Sequence, residues 1–159
     1  MIATKISPNF WLSEFEKSST AVRYGIDNLA TTEVKEKLEL LCLRVLQPTR
    51  DYFVEKRMAR GMTINSGFRC QQLNHILGSS SSSQHVLGEA ADVEMRGVDN
   101  YVLATWISEN LEFDQLILEF YDGVDPSSGW VHVSYKENNN RGECLTINKG
   151  TVKRGLIKG

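Results

Sequence analysis

The chain has 159 residues, 41% of them hydrophobic and 24% charged, with a net charge of −2 and a pI near 5.9. That is the make-up of one ordinary globular domain over residues 1–159, large enough to bury a core without disulfide or metal support and without general attraction for nucleic acid. No apolar run approaches the ~20 residues of a membrane span, and the opening stretch, with Pro8, Glu14 and Glu16, lacks the apolar core of a signal peptide.

The expectation is therefore a monomer made in the cytoplasm, which would need another route to act outside the cell. Thr31 or Thr32 can cap a helix reaching to Met58. Glu33 and Glu36 suit its positive end, and Val34, Leu38, Leu41 and Val45 recur at helical spacing. Pro48 is expected to break or kink it, leaving a shorter helix through Tyr52 and Phe53. GMTINSGF reads as a short strand entering a tight turn at Gly67, and RCQQLNHILG as a short helix closed by Gly78.

Five serines, Ser79 to Ser83, have the look of a tether between domains. The chain beyond them changes at once to alternation: Ala91, Val93 and Met95 point one way, Ala90, Asp92 and Glu94 the other. Residues 98–111 form an amphipathic helical pattern with Val102, Leu103 and Trp106 inward. QLILEF, WVHVSY and CLTIN follow as strands, with NKG at 148–150 as a hairpin turn before TVKRGL. Helices early and neighbouring strands late predict an α+β fold, a mainly antiparallel sheet covered by helices on one face.

Three histidines are present. On WVHVSY, His132 shares a face with Trp130 and Ser134 while Val131, Val133 and Tyr135 face the core. Asp92 also projects from the polar side of its strand, and His85 precedes it by seven residues. Two imidazoles and a carboxylate leave a coordination position open for water, the pattern of a catalytic zinc, which acidifies that water and polarises a carbonyl. Glu119 shares the polar face of QLILEF with Gln115 and Ile117, so it can shuttle protons, with Leu116, Leu118 and Phe120 inward. On spacing alone each of these residues also fits a structural role. His75 lacks a partner at helical spacing and reads as structural. Cys42, Cys70 and Cys144 show no C-x-x-C spacing and read as reduced, buried small hydrophobes. The basic residues from Lys136 onward, including Arg141, Lys149, Lys153, Arg154 and Lys158, form a solvated surface or a local basic face.

SQHVLGEAAD fits S-x-H-x-x-G-x-A-x-D at Ser83, His85, Gly88, Ala90 and Asp92, and WVHVS supplies a downstream W-x-H. Together these resemble the zinc D-Ala-D-Ala carboxypeptidase family, peptidoglycan peptidases whose fold is shared with the hedgehog signalling domain and with many phage endolysins. FWLSEFEKSSTAVRYGIDN resembles the opening of the family's small single-domain members, and INSGFRCQQLN their S-G-[YF]-R-x-x-x-x-N segment. The resemblance implies zinc held by His85, Asp92 and His132, and Arg69 in the cleft to hold a substrate carbonyl or carboxylate. Physically, Arg69 offers a planar donor fork for either.

Several relatives carry a catalytic glutamate three residues before the last histidine, where this chain has Gly129. Glu119 is the expected replacement, ahead of Glu89, Glu94 and Asp125. The implied activity is hydrolysis of a peptidoglycan stem or cross-link peptide, of D-Ala-D-Ala carboxypeptidase or phage endolysin type. A non-catalytic, zinc-stabilised wall-binding module on the same fold is the alternative. A non-haem iron oxygenase also uses two histidines and a carboxylate, but its H-x-[DE] spacing is missing. In this reading the serines are a mobile lip over the metal rather than a tether, and the Ser83 hydroxyl orients a ligand or touches substrate.

Overall fold

The computed structural model describes residues 3–158. The chain opens with a small ribbon, β1 (Lys5–Ser7) and β2 (Phe10–Trp11), followed by two short helices, α1 (Leu12–Glu16) and α2 (Ser19–Arg23). Sequence periodicity does not reveal these four elements, because each is too short to complete an amphipathic repeat. Phe10 and Phe15 are nevertheless buried and anchor the segment in the main core.

α3 (Thr32–Leu41) starts where expected, with Thr31 Oγ1 accepting the Val34 N–H at 3.2 Å. Leu38 and Leu41 are fully buried along its inner face, and Val45 continues that face just beyond it. Of the break or kink expected at Pro48 no break occurs, and the shorter helix expected through Tyr52 and Phe53 is present. The helix instead widens into a π-helical turn over Cys42–Leu46 and runs on as α4 (Gln47–Glu55). The widened turn, closed by Gln47 N–H to Cys42 O, shifts the hydrogen-bond register just before the residue that has no N–H to give. Thr49 Oγ1 donates to Val45 O at 2.7 Å within the same stretch.

β3 (Thr63–Ser66), α5 (Gln71–Ile76), the single turn α6 (Gln84–Leu87) and β4 (Ala90–Glu94) follow. α7 (Asn100–Asn110) then leads to β5 (Gln115–Glu119), β6 (Trp130–Ser134), β7 (Glu143–Asn148) and β8 (Thr151–Arg154). The phase of α7 differs from expectation: Leu103, Ala104 and Ile107 face the core, whereas Val102 is exposed. Asp99 caps the helix by accepting the Tyr101 and Val102 N–H groups, which fixes its start. Trp106 is partly buried and stacks on Tyr52 with ring centroids 4.6 Å apart.

The large sheet has the order β3-β4-β6-β5-β7-β8 and is antiparallel except for the parallel pair β5–β7. The architecture is thus α+β with a mainly antiparallel sheet. One face of the sheet carries Ala91, Val93, Leu116, Leu118, Val131 and Val133 into a core shared with Leu38, Leu41, Phe53, Leu103 and Ile107. Registers Asp92↔His132 and Ile117↔His132 align the polar face of three adjacent strands. Among the described residues no helix is long and apolar enough to cross a membrane.

The parallel pair requires the chain to cross from the end of β6 over β5, and a buried charge ties that crossing down. The Asp114 side chain, 1% exposed, accepts the Arg141 backbone N–H at 3.0 Å and the Arg141 Nε and Nη2 at 3.1 and 2.9 Å. Burial alone would push this carboxyl up. The hydrogen bonds and charge of Arg141, with Lys136 behind them, outweigh burial and hold it below the usual range. A carboxyl held low when folded contributes stability above its unfolded value of about 4, and the contribution is lost as pH falls through the folded value. Asp114→Asn should therefore lose about 1–3 kcal/mol at neutral pH in denaturant unfolding. The gap to wild type should shrink as pH is lowered below about 4. An equal stability of the two proteins at neutral pH would contradict this assignment.

Candidate functional site

A cleft of about 800 Å³ opens on the polar face of the sheet. His85, Asp92 and His132 lie buried at its floor, with one ligand-capable atom from each within 4.8 Å of the others. Asp92 Oδ1 is 3.0 Å from His132 Nδ1 and 3.4 Å from His85 Nε2, while Asp92 Oδ2 faces Arg69 Nη2 at 3.6 Å.

Each part of the Ser83–Asp92 motif has a mechanical role. Ser83 caps α6, its Oγ accepting the His85 N–H at 3.3 Å, so the hydroxyl positions His85 through the backbone. Gly88 ends the turn in a left-handed conformation, φ 77°, packed against Val34 of α3. Ala90 enters the sheet opposite Ser134, and two residues later Asp92 stands opposite His132.

The tautomer of His85 decides what the three residues fit. Its Nδ1 is 2.7 Å from the Gly67 carbonyl, which only accepts, so Nδ1 carries the proton. In the neutral ring the Nε2 lone pair then points at a carboxylate oxygen, an acceptor facing an acceptor. A cation between them resolves that contact, and an imidazole fixed by a backbone carbonyl is the usual support of a metal-bound histidine. Burial opposes the charge on Asp92, but its contacts with His132 and His85 outweigh burial and hold its carboxyl well below the usual range. The donor set of two imidazole nitrogens and a carboxylate suits zinc.

Around this floor, Arg69 is tied through Nε to Ser66 Oγ at 3.1 Å and through Nη1 to Ser79 Oγ at 3.2 Å. Glu119 lines the cleft on β5, two residues beyond Ile117 on the face that meets His132. Burial pushes its carboxyl up and the Asp92 charge adds to this, partly offset by His132 and Arg69. Ser79, Ser80, Ser82 and Ser83 line the rim of the cleft. The rim is folded on itself by Ser80 Oγ to Ser82 Oγ, 2.8 Å, and by Asn74 Nδ2 to Ser80 O, 2.8 Å.

A model of the peptidase M15 family matches residues 8–134, which span every one of these site residues. The chain belongs to the peptidase M15 family. Among curated proteins none matches it.

The fold explains why this M15 chain has Gly129 where several relatives of the resembled family carry a glutamate. Gly129 is left-handed, φ 65°, in the turn entering β6. A side chain there would overlap the Glu119 carbonyl oxygen and come within 2.6 Å of the Phe120 carbonyl carbon. A glutamate cannot occupy that position in this backbone. The same tight passage turns Phe120, φ 56°, away from the core where alternation put it. The ring is 45% exposed and lies 5.3 Å from Trp130.

The other carboxylates have separate tasks. Glu89 reaches the cleft but is bonded by Gln84, Glu94 lies outside the cleft lining and accepts from Asn65, and Asp125 accepts the Ser127 N–H and hydroxyl within its turn. His75 is exposed on α5. Burial pushes the Cys42 thiol far up, which keeps it protonated and un-nucleophilic. Of the basic C-terminal residues only Lys136 and Arg141 line the cleft. The β8 residues Lys153 and Arg154 are exposed.

Gly129→Ala should destabilise the fold by at least about 2 kcal/mol, since it adds left-handed strain to a backbone overlap. Denaturant unfolding measures the change, and an unaltered midpoint would contradict the close passage.

Proposed function

We propose that the chain is a zinc-dependent peptidase that hydrolyses a peptide bond in the stem or cross-link peptides of bacterial peptidoglycan. The reading covers a D-Ala-D-Ala-type carboxypeptidase and an endolysin-type endopeptidase of phage kind. The observation that carries it is the His85 lone pair facing the Asp92 carboxylate beside His132, in a cleft that also holds an unclaimed carboxylate and an arginine.

Zinc held by His85, Asp92 and His132 would acidify water and polarise the scissile carbonyl. Glu119 acts as general base and then as general acid, taking a proton from the attacking water and giving it to the leaving amine. A carboxyl whose proton affinity is raised by burial suits a group that must hold a proton between two steps. Arg69, fixed by two serine hydroxyls, offers its remaining donors to the substrate carbonyl or a peptide carboxylate. Ser83 serves the site by positioning His85, and its hydroxyl hydrogen is free to meet substrate.

Two variants separate chemistry from metal binding. His132→Ala should lose metal and activity together, whereas Glu119→Gln should keep the metal and lose at least about a hundredfold in rate. Metal analysis and amine release from purified peptidoglycan provide the readings, and mass spectrometry of the digested muropeptides identifies the bond. Full activity in Glu119→Gln would move the base elsewhere. Bound zinc with no amine release from the wild-type protein would turn the assignment to a non-catalytic wall-binding module.

A further inference from the structure

A second cavity, an open groove of about 1130 Å³, lies where the end of α4 meets β3 and the turn after β4. It shares no residue with the cleft. Arg57, Arg60 and Arg96 line it together with Met58, Met62 and Thr63, and no acidic residue contributes to its wall. In a chain of net charge −2 this is a concentrated positive site. Among the described residues, none of the three guanidiniums makes an ion pair or a side-chain hydrogen bond. Arg50, Arg69 and Arg141 are by contrast paired with Asp51, Asp92 and Asp114. Glu94, the nearest carboxylate on β4, is engaged by Asn65 at 2.7 Å.

The backbone gives an independent sign that one of these arginines is wanted for its side chain. α4 ends with Arg57 N–H bonded to Val54 O and Met58 N–H to Phe53 O, both at 3.0 Å, the double closure in which the residue after the cap turns left-handed. Glycine is the residue that favours this position, and here it is Arg57 with φ 57°. Gly97 packs against the Met58 carbonyl, where an added Cβ would lie 2.7 Å from the oxygen, and Arg96 beside it lines the groove.

We propose that this groove is a binding site for a phosphate-bearing polyanion, with Arg57, Arg60 and Arg96 as its anchors. Guanidinium forks match phosphate oxygens in pairs, and three along one groove suit a chain better than a single ion. Taking the source to be an anionic phosphate polymer of the cell wall rests on the proposed function, whereas the phosphate chemistry does not. The groove would hold the protein on the wall while the separate cleft meets peptide.

The test uses the full chain and titrates inorganic tripolyphosphate, a glycerol-phosphate polymer, polyglutamate and single-stranded DNA, with binding mapped by NMR. Tripolyphosphate and the glycerol-phosphate polymer should shift Arg57, Arg60 and Arg96. Arg57→Gly should bind them about tenfold more weakly while its thermal midpoint stays equal or rises. Amine release from a soluble stem peptide should be unchanged in that variant. Wild-type affinity in Arg57→Gly, or binding mapped to the β7–β8 hairpin instead, would overturn the site. Equal or tighter binding of polyglutamate would overturn the phosphate assignment, and equal or tighter binding of DNA would overturn the wall polymer as its source. The binding arms do not depend on hydrolysis, so loss of peptidase activity would leave them standing.

Discussion

The structure turns on the pairing of β4 with β6, which sets Asp92 directly across from His132. Neighbouring side chains on a strand point to opposite faces, so a slip of one residue would send the carboxylate into the core and a valine to the cleft. Ala91 and Val93 on β4 and Val131 and Val133 on β6, all fully buried, make that slip prohibitive. The hydrophobic core thereby holds two charged or polar groups within 3.0 Å on the other side of the sheet. Burial that would be unfavourable for each group alone is tolerated because they compensate one another and, in the proposed reading, a metal.

His85 reaches the same point by a different route. A single helical turn, capped at one end by Ser83 and stopped at the other by Gly88 against α3, aims the ring at Asp92, while the Gly67 carbonyl fixes its tautomer. The opposite wall of the cleft depends on the close passage of Gly129 over β5, which forbids a side chain there and leaves Glu119 as the carboxylate of that wall. The location of the carboxylate proposed as the acid–base group is thus a consequence of backbone packing.

The sequence made His132 and Asp92 legible because period-two alternation is a local property: valines flanking His132 and apolar residues flanking Asp92 assign each to the polar side of its strand before any pairing is known. What stayed hidden was set by distant or backbone terms. The parallel placement of β7 beside β5 depends on a crossing tied by Asp114 and Arg141, residues far apart in the chain. The outward turn of Phe120 follows from a left-handed backbone that alternation cannot register, and the phase of α7 from the packing of Leu103, Ala104 and Ile107 in the core. The helix survived Pro48 through a widened turn, a change of hydrogen-bond register with no signature in side-chain pattern. The arginine groove was equally invisible, since Arg96 meets Arg57 and Arg60 only in the folded chain.

The central claim is that His85, Asp92 and His132 form one metal centre. Anomalous diffraction at the zinc edge, from crystals grown with one equivalent of zinc, tests it most directly. The account predicts a single strong peak bonded to His85 Nε2, an Asp92 oxygen and a His132 ring nitrogen, with His85 Nδ1 still on the Gly67 carbonyl. No peak among these three residues, or a principal zinc site elsewhere on the molecule, would contradict it.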